Sequence, residues 1–210
     1  MPKLRLSLLL VLGLPLVTAC QTTTGTRPSS VGRNVTVEAA EEWRSIALDE
    51  HARVLEDLPP LFREAAARGR RTAASDRMLL DPELALPRAA PAPGAYRCRL
   101  VRLGASRATA GREAFCFVGA EAEGLSLTVE TPARRLGGFL WESGQGDRLV
   151  FLGADFAPRS RGAPAYGGPR ATSTAGIFER IGDFRYRLIV AGAQPRAVDV
   201  YELIAAPPAR

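Results

Sequence analysis

The sequence predicts a mainly β protein with an N-terminal helical segment, an α+β chain whose β domain is an antiparallel up-and-down eight-stranded barrel or a strongly curled sheet. Apolar residues recur at intervals of three and four before residue 60 and alternate with a period of two beyond Gly94. No helix-length periodicity interrupts the second half, so no crossover helices are available for a parallel sheet. Short, locally connected strands then favour closure, because a closed barrel has no exposed edge.

The composition is that of a folded protein, with 46% hydrophobic and 24% charged residues. It excludes a disordered chain, a collagenous repeat and a polytopic membrane protein. Four segments are predicted in order. They are a signal peptide (1–19), a flexible Thr-, Ser- and Gly-rich tether (20–35), a helical segment with a proline-rich connector (36–93) and the β-barrel domain (94–206).

The N-terminus has the organisation of an export signal. Lys3 and Arg5 form a positive region, and Leu8–Leu16 is an apolar run too short to span a bilayer. The following Val17–Cys20 segment (VTAC) resembles a bacterial lipobox, in which small residues precede a cysteine that receives a diacylglyceryl group. We therefore predict cleavage before Cys20 and acylation of this residue, including palmitate. The alternative is an ordinary signal peptide with a chance cysteine.

The same segment predicts location and partners. Gln21, rather than Asp, follows Cys20, which is the outer-membrane sorting pattern of enteric bacteria. We expect the protein on the periplasmic face of the outer membrane, with the inner membrane as the less favoured alternative. Membrane contact through lipidated Cys20 is the first predicted partner. An envelope protein or an acidic envelope polymer is the second predicted partner. Loss of Lys3 and Arg5 with the signal peptide lowers the formal net charge from +6 to +4, and the remaining positive charge favours the acidic polymer. No nucleic-acid-binding motif is present in the sequence.

A helix is predicted from Val37, with Thr36 as its N-cap. Its apolar stripe comprises Trp43, Ile46, Ala47, Val54, Leu55 and Leu58. Pro59–Pro60 is expected to end or bend this helix, and Leu61–Arg68 to begin a second one that Gly69 terminates. His51, the single histidine, lies on the stripe and is interpreted as a packed residue rather than a ligand.

Strands are predicted wherever apolar residues alternate between turn-forming residues. They are 94–103, 112–119, 124–130, 135–142, 147–153, 176–181, 184–190 and 198–204. Four alternating arginines should face solvent or a partner: Arg97, Arg99, Arg185 and Arg187. Six bulky residues are expected to point inward and fill the barrel: Phe115, Phe117, Trp141, Phe151, Phe184 and Tyr186.

Two cysteines in the β domain predict a structural disulfide. Cys98 and Cys116 flank a hairpin centred on residue 107, which sets them directly opposite each other. The α carbons of such a pair at a non-hydrogen-bonded position lie about 4.5 to 5.5 Å apart, within disulfide reach. An exported protein is in an oxidising compartment, where paired thiols bridge. Two reduced core thiols are the alternative.

Several short segments carry a resemblance to a known family. They are Tyr96–Arg99 (YRCR), Phe151–Gly153 (FLG), Glu179–Gly182 (ERIG) and Arg185–Leu188 (RYRL), with Trp43, Asp49 and Arg53 on the helix. Together they resemble the domain-of-unknown-function 4893 family of exported proteobacterial proteins, from Trp43 to Leu203. The resemblance implies a fold and an exported compartment, without an activity. The family pattern has Arg-Asp before the glycine of the sixth strand, whereas this chain has Ala171–Ala175 before Gly176.

Motifs that carry chemistry are absent from the sequence. It contains no phosphate loop, no nucleophile elbow and no metal-ligand spacing, so neither a catalytic residue nor a cofactor or metal is predicted. Four carboxylates, Glu130, Asp155, Glu179 and Asp183, carry no mark that separates one from another. The long connection from Asp155 to Ala175 is a candidate partner- or anion-binding segment. Its candidate contact residues are Arg159, Arg161, Tyr166 and Arg170.

These observations favour a non-catalytic, membrane-anchored periplasmic lipoprotein that binds a partner or serves as an accessory of the cell envelope. A lipocalin-like binder of a small ligand is the first alternative, and it requires an open barrel interior. A carboxylate-based hydrolase is the second alternative, and it requires carboxylates that converge in a cavity.

Overall fold

The computed structural model describes residues 42–69, 76–104, 107–157, 160, 162–169 and 172–207, so the predicted signal peptide, Cys20, the tether and Thr36 lie outside the described residues. Two helices precede nine strands along the described chain. They are α1 (Glu42–Ile46), α2 (Asp49–Arg68), β1 (Gly94–Leu103), β2 (Ala108–Ala110), β3 (Ala114–Glu121), β4 (Gly124–Glu130), β5 (Arg135–Glu142), β6 (Arg148–Asp155), β7 (Thr172–Gly182), β8 (Arg185–Ala191) and β9 (Val198–Ala205).

The strands form a closed antiparallel barrel, which confirms the predicted fold class. From β3 to β9, each strand pairs with the strand that follows it in the chain. The last strand, β9, pairs with β1 from Tyr96↔Ala205 to Leu103↔Val198, and this pairing closes the barrel. The short strand β2 was not predicted. It pairs with the end of β1, while β3 pairs with the beginning of β1. β2 and β3 therefore lie one after the other along the same edge of β1. The barrel is eight strands around, because these two strands together occupy one place.

The barrel interior is filled with side chains that alternate along each strand. Its buried residues include Tyr96, Leu100, Val118, Leu127, Val129, Leu136, Leu140, Leu149, Phe151, Phe178, Tyr186, Leu188, Val190, Tyr201 and Leu203. Glycine permits close packing against an aromatic ring at one point, because a Cβ on Gly153 would lie 2.5 Å from Cζ of Phe151. The ring of Phe151 occupies this space and is without solvent contact.

The predicted inward orientation is wrong for four of the six aromatic residues, because only two of them lie inside the barrel. Phe151 and Tyr186 lie inside the barrel, and Trp141 is half-buried beside the helices. Phe115, Phe117 and Phe184 are exposed. In β3 the buried Cys116 and Val118 take the inner positions, so the period of two places the neighbouring phenylalanines on the outer surface. Phe184 occupies the turn between β7 and β8 with a φ of 54°.

A second apolar layer joins α2 to the outer surface of the barrel. Leu55, Leu58 and Phe62 of the helix pack with outward-facing residues of β6 to β9, among them Ile177 and Ile189. The prediction of two separate helices around Pro59–Pro60 is wrong, because α2 continues through both prolines to Arg68. Packing of its apolar face outweighs the missing backbone hydrogen bonds. Gly69 ends the helix as predicted.

The four alternating arginines have different surroundings. Arg97 is exposed as expected, and Arg99 and Arg185 both form ion pairs with the buried Glu202. The expectation of a solvent- or partner-facing side chain is wrong for Arg187, which is fully buried. The connector and α2 cover it, and Glu179 neutralises its charge. A strand pattern shows which face a side chain is on, but not whether another segment covers that face.

The predicted disulfide is confirmed, although its predicted register is wrong. Cys98 and Cys116 are bridged, with their α carbons 5.9 Å apart. The register pairs Tyr96 with Cys116 and Cys98 with Ala114, so the cysteines are diagonal rather than directly opposite. Residues 111–113, which lie between β2 and β3, separate the two registers that β1 adopts with these strands. Both cysteines face the barrel interior, and the bridge spans the space between adjacent strands.

Candidate functional site

One end of the barrel carries a cluster of charged residues on inward-facing positions. This end, called the mouth here, is where β1, β4, β6 and β8 finish and where β5, β7 and β9 begin. The mouth cluster consists of Arg102, Arg134, Asp155, Asp199 and Tyr201. Arg134 lies in the turn before β5, and the other four residues continue the inner stripes of their strands, so the barrel core changes from apolar to ionic at the mouth.

Two guanidinium groups neutralise two carboxylates in this cluster. Arg102 donates from Nε to Oδ1 of Asp199 at 2.8 Å and from Nη2 to Oδ2 at 3.2 Å. Arg134 donates in the same two-pronged manner to Asp155, at 2.6 Å and 2.9 Å. Nη1 of Arg134 also lies 3.5 Å from Oδ2 of Asp199, so Arg134 bridges the two carboxylates. Paired hydrogen bonds of this kind fix both distance and orientation.

The depth of the cluster affects its electrostatics. The Asp199 side chain is 1% exposed and that of Arg102 is 43% exposed, so the pair extends from the core to the surface. Burial acts to lower the pKa of Arg134, but the hydrogen bond to Asp155 and the nearby carboxylates raise it above its usual value. For Arg102, the hydrogen bond to Asp199 raises the pKa despite burial. Both arginines therefore stay charged at any physiological pH.

The hydroxyl of Tyr201 is the deepest polar group of the mouth. It is fully buried and has no hydrogen-bond partner among the described residues. Burial is the main cause of the raised pKa of Tyr201, and Arg134 acts in the opposite direction. The phenol therefore keeps its proton at neutral pH and can both donate and accept. An unpartnered buried hydroxyl costs about 1 to 3 kcal/mol, which makes this position chemically distinctive.

A cavity of about 490 Å³ opens beside the mouth cluster. Charged and hydroxyl-bearing side chains contribute part of its wall, including Arg102, Arg134, Asp155, Thr174 and Asp199. His51 and Val54 of α2 close it on the helix side. The cavity thus lies between the barrel end and the first turns of α2, and not inside the filled barrel.

A different surface presents exposed aromatic side chains. Phe115 is 72% exposed and Phe117 is 55% exposed, on adjacent outward positions of β3. Arg97 of β1 and Glu130 of β4 are the cross-strand neighbours of Phe115. We call these four residues the phenylalanine face. It combines two apolar side chains with one charge of each sign.

The family model for the domain of unknown function DUF4893 matches residues 43–203. The chain belongs to this family. The match includes the whole mouth cluster and the phenylalanine face, so both lie within the DUF4893 domain. No curated protein matches the chain, and no solved structure matches it either.

Only one of the four predicted contact residues of the DUF4893 domain's long connection lies among the described residues. Arg159, Arg161 and Arg170 are outside them. The hydroxyl of Tyr166 accepts a hydrogen bond from the backbone N–H of Leu48 at 3.1 Å and lies 2.7 Å from Nδ1 of His51. Tyr166 therefore fastens the connection to the start of α2.

His51 packs against Tyr166 and lies within hydrogen-bonding distance of its hydroxyl, which agrees with its interpretation from the sequence as a packed residue. Because the Tyr166 oxygen accepts from Leu48, its hydroxyl hydrogen is available to Nδ1 of His51. Burial lowers the pKa of His51, and the charge of Glu50 partly opposes this effect. Among the described residues, no three His, Cys, Asp or Glu side chains are grouped as a metal site. Nor is any described helix long and apolar enough to cross a membrane.

Sequence reasoning missed the mouth cluster, although the sequence contains a signal for it. Arg102 follows the inward stripe of β1, Asp155 follows that of β6, and Asp199 precedes that of β9. A charged residue at the same end of several inward stripes indicates one common site once the strand order is known. Arg134 lies in a turn, where the sequence pattern provides no such signal.

Proposed function

We propose that this protein is a non-catalytic, lipid-anchored periplasmic protein that binds another envelope protein through its phenylalanine face. The observation that carries this proposal is the pair of exposed phenylalanines on the outer surface of the sheet, at 72% and 55% exposure. Their place on a strand fixes their spacing before any partner arrives. Complete burial of such a side chain contributes about 1.5 to 3 kcal/mol, so two of them form a plausible centre of an interface.

The anchor rests on the sequence of the N-terminus. Lipidation of Cys20, with palmitate among its acyl chains, would hold the protein at the periplasmic face of the outer membrane. The tether of residues 20–35 would then separate the membrane from the folded domain. In this arrangement a surface on the barrel is available to proteins of the same compartment.

The chemistry of the phenylalanine face favours a protein partner over an acidic polymer. Arg97 and Glu130 flank Phe115 with opposite charges, so the face has no excess of positive charge. Glu130 also pairs with Arg135 at 2.6 Å. An apolar centre with mixed charges at its border is typical of protein interfaces. We expect a partner that presents an apolar patch of similar size.

The barrel and its ion pairs support a binding role in two further ways. The interior is occupied by residues such as Phe151 and Phe178, which favours external recognition over a lipocalin-like internal ligand. Asp155 and Asp199 are held in ion pairs rather than placed as a free acid and base. A hydrolytic activity of the purified protein that Asp155→Asn abolishes would overturn the non-catalytic proposal.

The proposal is tested by photocrosslinking in intact cells. A photoreactive phenylalanine analogue is placed at position 117, and the same analogue is placed at position 184 as a matched control. Phe184 has a similar exposure of 69% but lies in the turn between β7 and β8, and strands β9 and β1 separate this turn from β3. A discrete crosslinked protein at position 117 and not at position 184 is expected. Equal products at both positions would contradict the assigned face.

Binding to the identified protein is then measured with purified components. The double variant Phe115→Ser/Phe117→Ser should lose affinity by at least about tenfold, since about 1.4 kcal/mol corresponds to each factor of ten. Phe184→Ser should bind as the wild type does. Both variants alter exposed residues and should change stability by no more than about 0.5 kcal/mol. Unchanged affinity of the double variant would place the interface elsewhere.

A further inference from the structure

The cavity at the mouth offers a second binding surface, independent of the phenylalanine face. Its volume of about 490 Å³ falls within the range of roughly 300 to 1,000 Å³ that is usual for small-molecule sites. Small apolar side chains form one part of its wall, namely Val54, Ala133, Ala175, Ala191 and Ala193. Because these side chains are small, they leave the cavity open and give it an apolar wall on this side.

Polar groups on the remaining wall have hydrogen-bonding capacity left. Nη1 of Arg102 makes no hydrogen bond to the described residues, because its ion pair with Asp199 uses Nε and Nη2. The hydroxyls of Thr172 and Thr174 also line the cavity. The hydroxyl oxygen of Thr174 accepts one hydrogen bond from a described side chain, a long one of 3.5 Å from Nη2 of Arg134. The wall therefore offers donors and acceptors within one small space.

The charges of the wall balance. Arg102 and Arg134 contribute two positive charges, and Asp155 and Asp199 contribute two negative charges. A bound anion would be attracted by the two arginines but repelled by the two carboxylates. A bound cation would be attracted by the carboxylates but repelled by the arginines. A neutral ligand with many hydroxyls avoids both penalties, because each hydroxyl can donate to a carboxylate or accept from a guanidinium.

We propose that the mouth cavity binds a neutral saccharide whose hydroxyls form hydrogen bonds with Arg102, Asp155 and Thr174. The C–H face of the sugar ring packs against the small apolar side chains of the cavity wall. The unpartnered hydroxyl of Tyr201 lies buried among the same charged groups. It is fully buried and is not part of the cavity wall, so no sugar contact is assigned to it. The saccharide can be a free sugar or a unit of an envelope glycan, since the same chemistry recognises both.

The test uses the purified full-length protein and defined probes. Ligand-observed NMR is recorded with glucose, N-acetylglucosamine and the β-1,4-linked disaccharide of N-acetylglucosamine, and sedimentation is measured with insoluble peptidoglycan. Binding of a soluble sugar assigns the site to free saccharides, and sedimentation alone assigns it to a polymer-borne unit. Glutamate and inorganic phosphate are measured in parallel as charged probes. Binding of neither sugars nor peptidoglycan, or preferential binding of a charged probe, would overturn the proposal.

Variants locate the bound sugar. Ala133→Trp places a bulky side chain at an exposed position of the cavity wall, and Thr174→Val removes a hydroxyl with little change of shape. Thr174→Val should weaken binding by about two- to tenfold, since a well-formed hydrogen bond contributes about 0.5 to 1.5 kcal/mol. Ala133→Trp should weaken it by more than about tenfold through steric exclusion. Ala122→Trp is the matched control, because Ala122 is exposed in the turn between β3 and β4 at the opposite end.

Thermal unfolding of each variant separates lost binding from lost structure. The proposal is supported when Ala133→Trp and Thr174→Val unfold as the wild type does but bind the sugar more weakly, while Ala122→Trp binds it normally. Sugar binding that persists at wild-type strength in both mouth variants would place the sugar outside this cavity and overturn the assignment. Should Thr174→Val be destabilised, the surface variant Ala133→Trp alone decides the question.

Discussion

The guanidinium of Arg187 donates from Nε to Oε2 of Glu179 at 2.7 Å, in a layer where neither side chain has appreciable contact with solvent. The same guanidinium donates to the carbonyl oxygens of Leu79 at 3.0 Å and Asp81 at 2.6 Å. Its central carbon lies 4.9 Å from the ring centroid of Phe62. One side chain of β8 thus holds together the barrel, the connector and α2.

Loss of one partner of this buried pair should destabilise the fold strongly. Arg187→Leu leaves the Glu179 carboxylate buried without its principal cation, which typically costs about 3 to 5 kcal/mol. We expect the midpoint of thermal unfolding to fall by about 10 °C, at roughly 2 to 4 °C per kcal/mol for a domain of this size. The loss of unfolding free energy is measured by chemical denaturation followed by circular dichroism.

An exposed ion pair provides the control for Arg187→Leu. Arg97 pairs with Glu113 at 3.3 Å, with side-chain exposures of 47% and 60%. Arg97→Leu should therefore change stability by less than about 1 kcal/mol. Similar losses for the two variants would show that the burial of Arg187 does not determine its contribution.

The disulfide should contribute stability as a chain constraint. Cys98 and Cys116 are separated by 18 residues, for which the chain-entropy model gives about 3 kcal/mol. The double variant Cys98→Ala/Cys116→Ala should lose about this amount in denaturant unfolding. The wild type under reducing conditions is the control, because it retains both side chains. Mass spectrometry after alkylation without reductant should find both thiols protected, and two alkylated cysteines would contradict the bridge.

The partial burial of His51 should make stability depend on pH. Burial holds the pKa of His51 below its usual value of 6.5. The unfolded chain therefore binds more protons than the folded chain between the two pKa values, and stability falls as pH decreases through this interval. Above about 6.5 the contribution is fully present. We expect a lower midpoint of thermal unfolding at pH 6 than at pH 7.5.

The variant His51→Asn isolates this effect. Its amide oxygen can accept the Tyr166 hydroxyl in place of Nδ1 but does not titrate. His51 is the single histidine of the chain, so the variant should have a smaller difference between the two pH values. An equal difference in both proteins would assign the pH dependence to carboxylates instead.

Alternation along the sequence predicted all eight main strands, and a closed barrel was one of the two arrangements that it favoured, beside a strongly curled sheet. The period of two depends only on which face of a strand is apolar, and this information is local. The orientation of β3 was nevertheless misjudged, because Phe115 and Cys116 are both apolar and either could have been assigned to the core. The cysteine, which takes part in the disulfide, lies inside.

Tertiary contacts explain what local patterns could not predict. α2 passes through Pro59–Pro60 because the barrel surface supports its apolar face. Arg187 is buried because a distant segment, residues 79–81, covers it. The mouth cluster depends on strand order in the same way, since Arg102 and Asp155 are far apart in sequence. Each of these features involves residues that the fold alone brings together.

Lipidation of Cys20 should determine where the protein is found. The wild type should partition into the detergent phase and the membrane fraction, since each buried methylene of an acyl chain contributes about 0.8 kcal/mol. Cys20→Ala removes the acylated thiol, so this variant should be recovered in the aqueous phase or remain unprocessed. Ser29→Ala, within the predicted tether, is the control and should behave as the wild type does. A wild type that is recovered in the aqueous phase as fully as Cys20→Ala would contradict the lipid anchor.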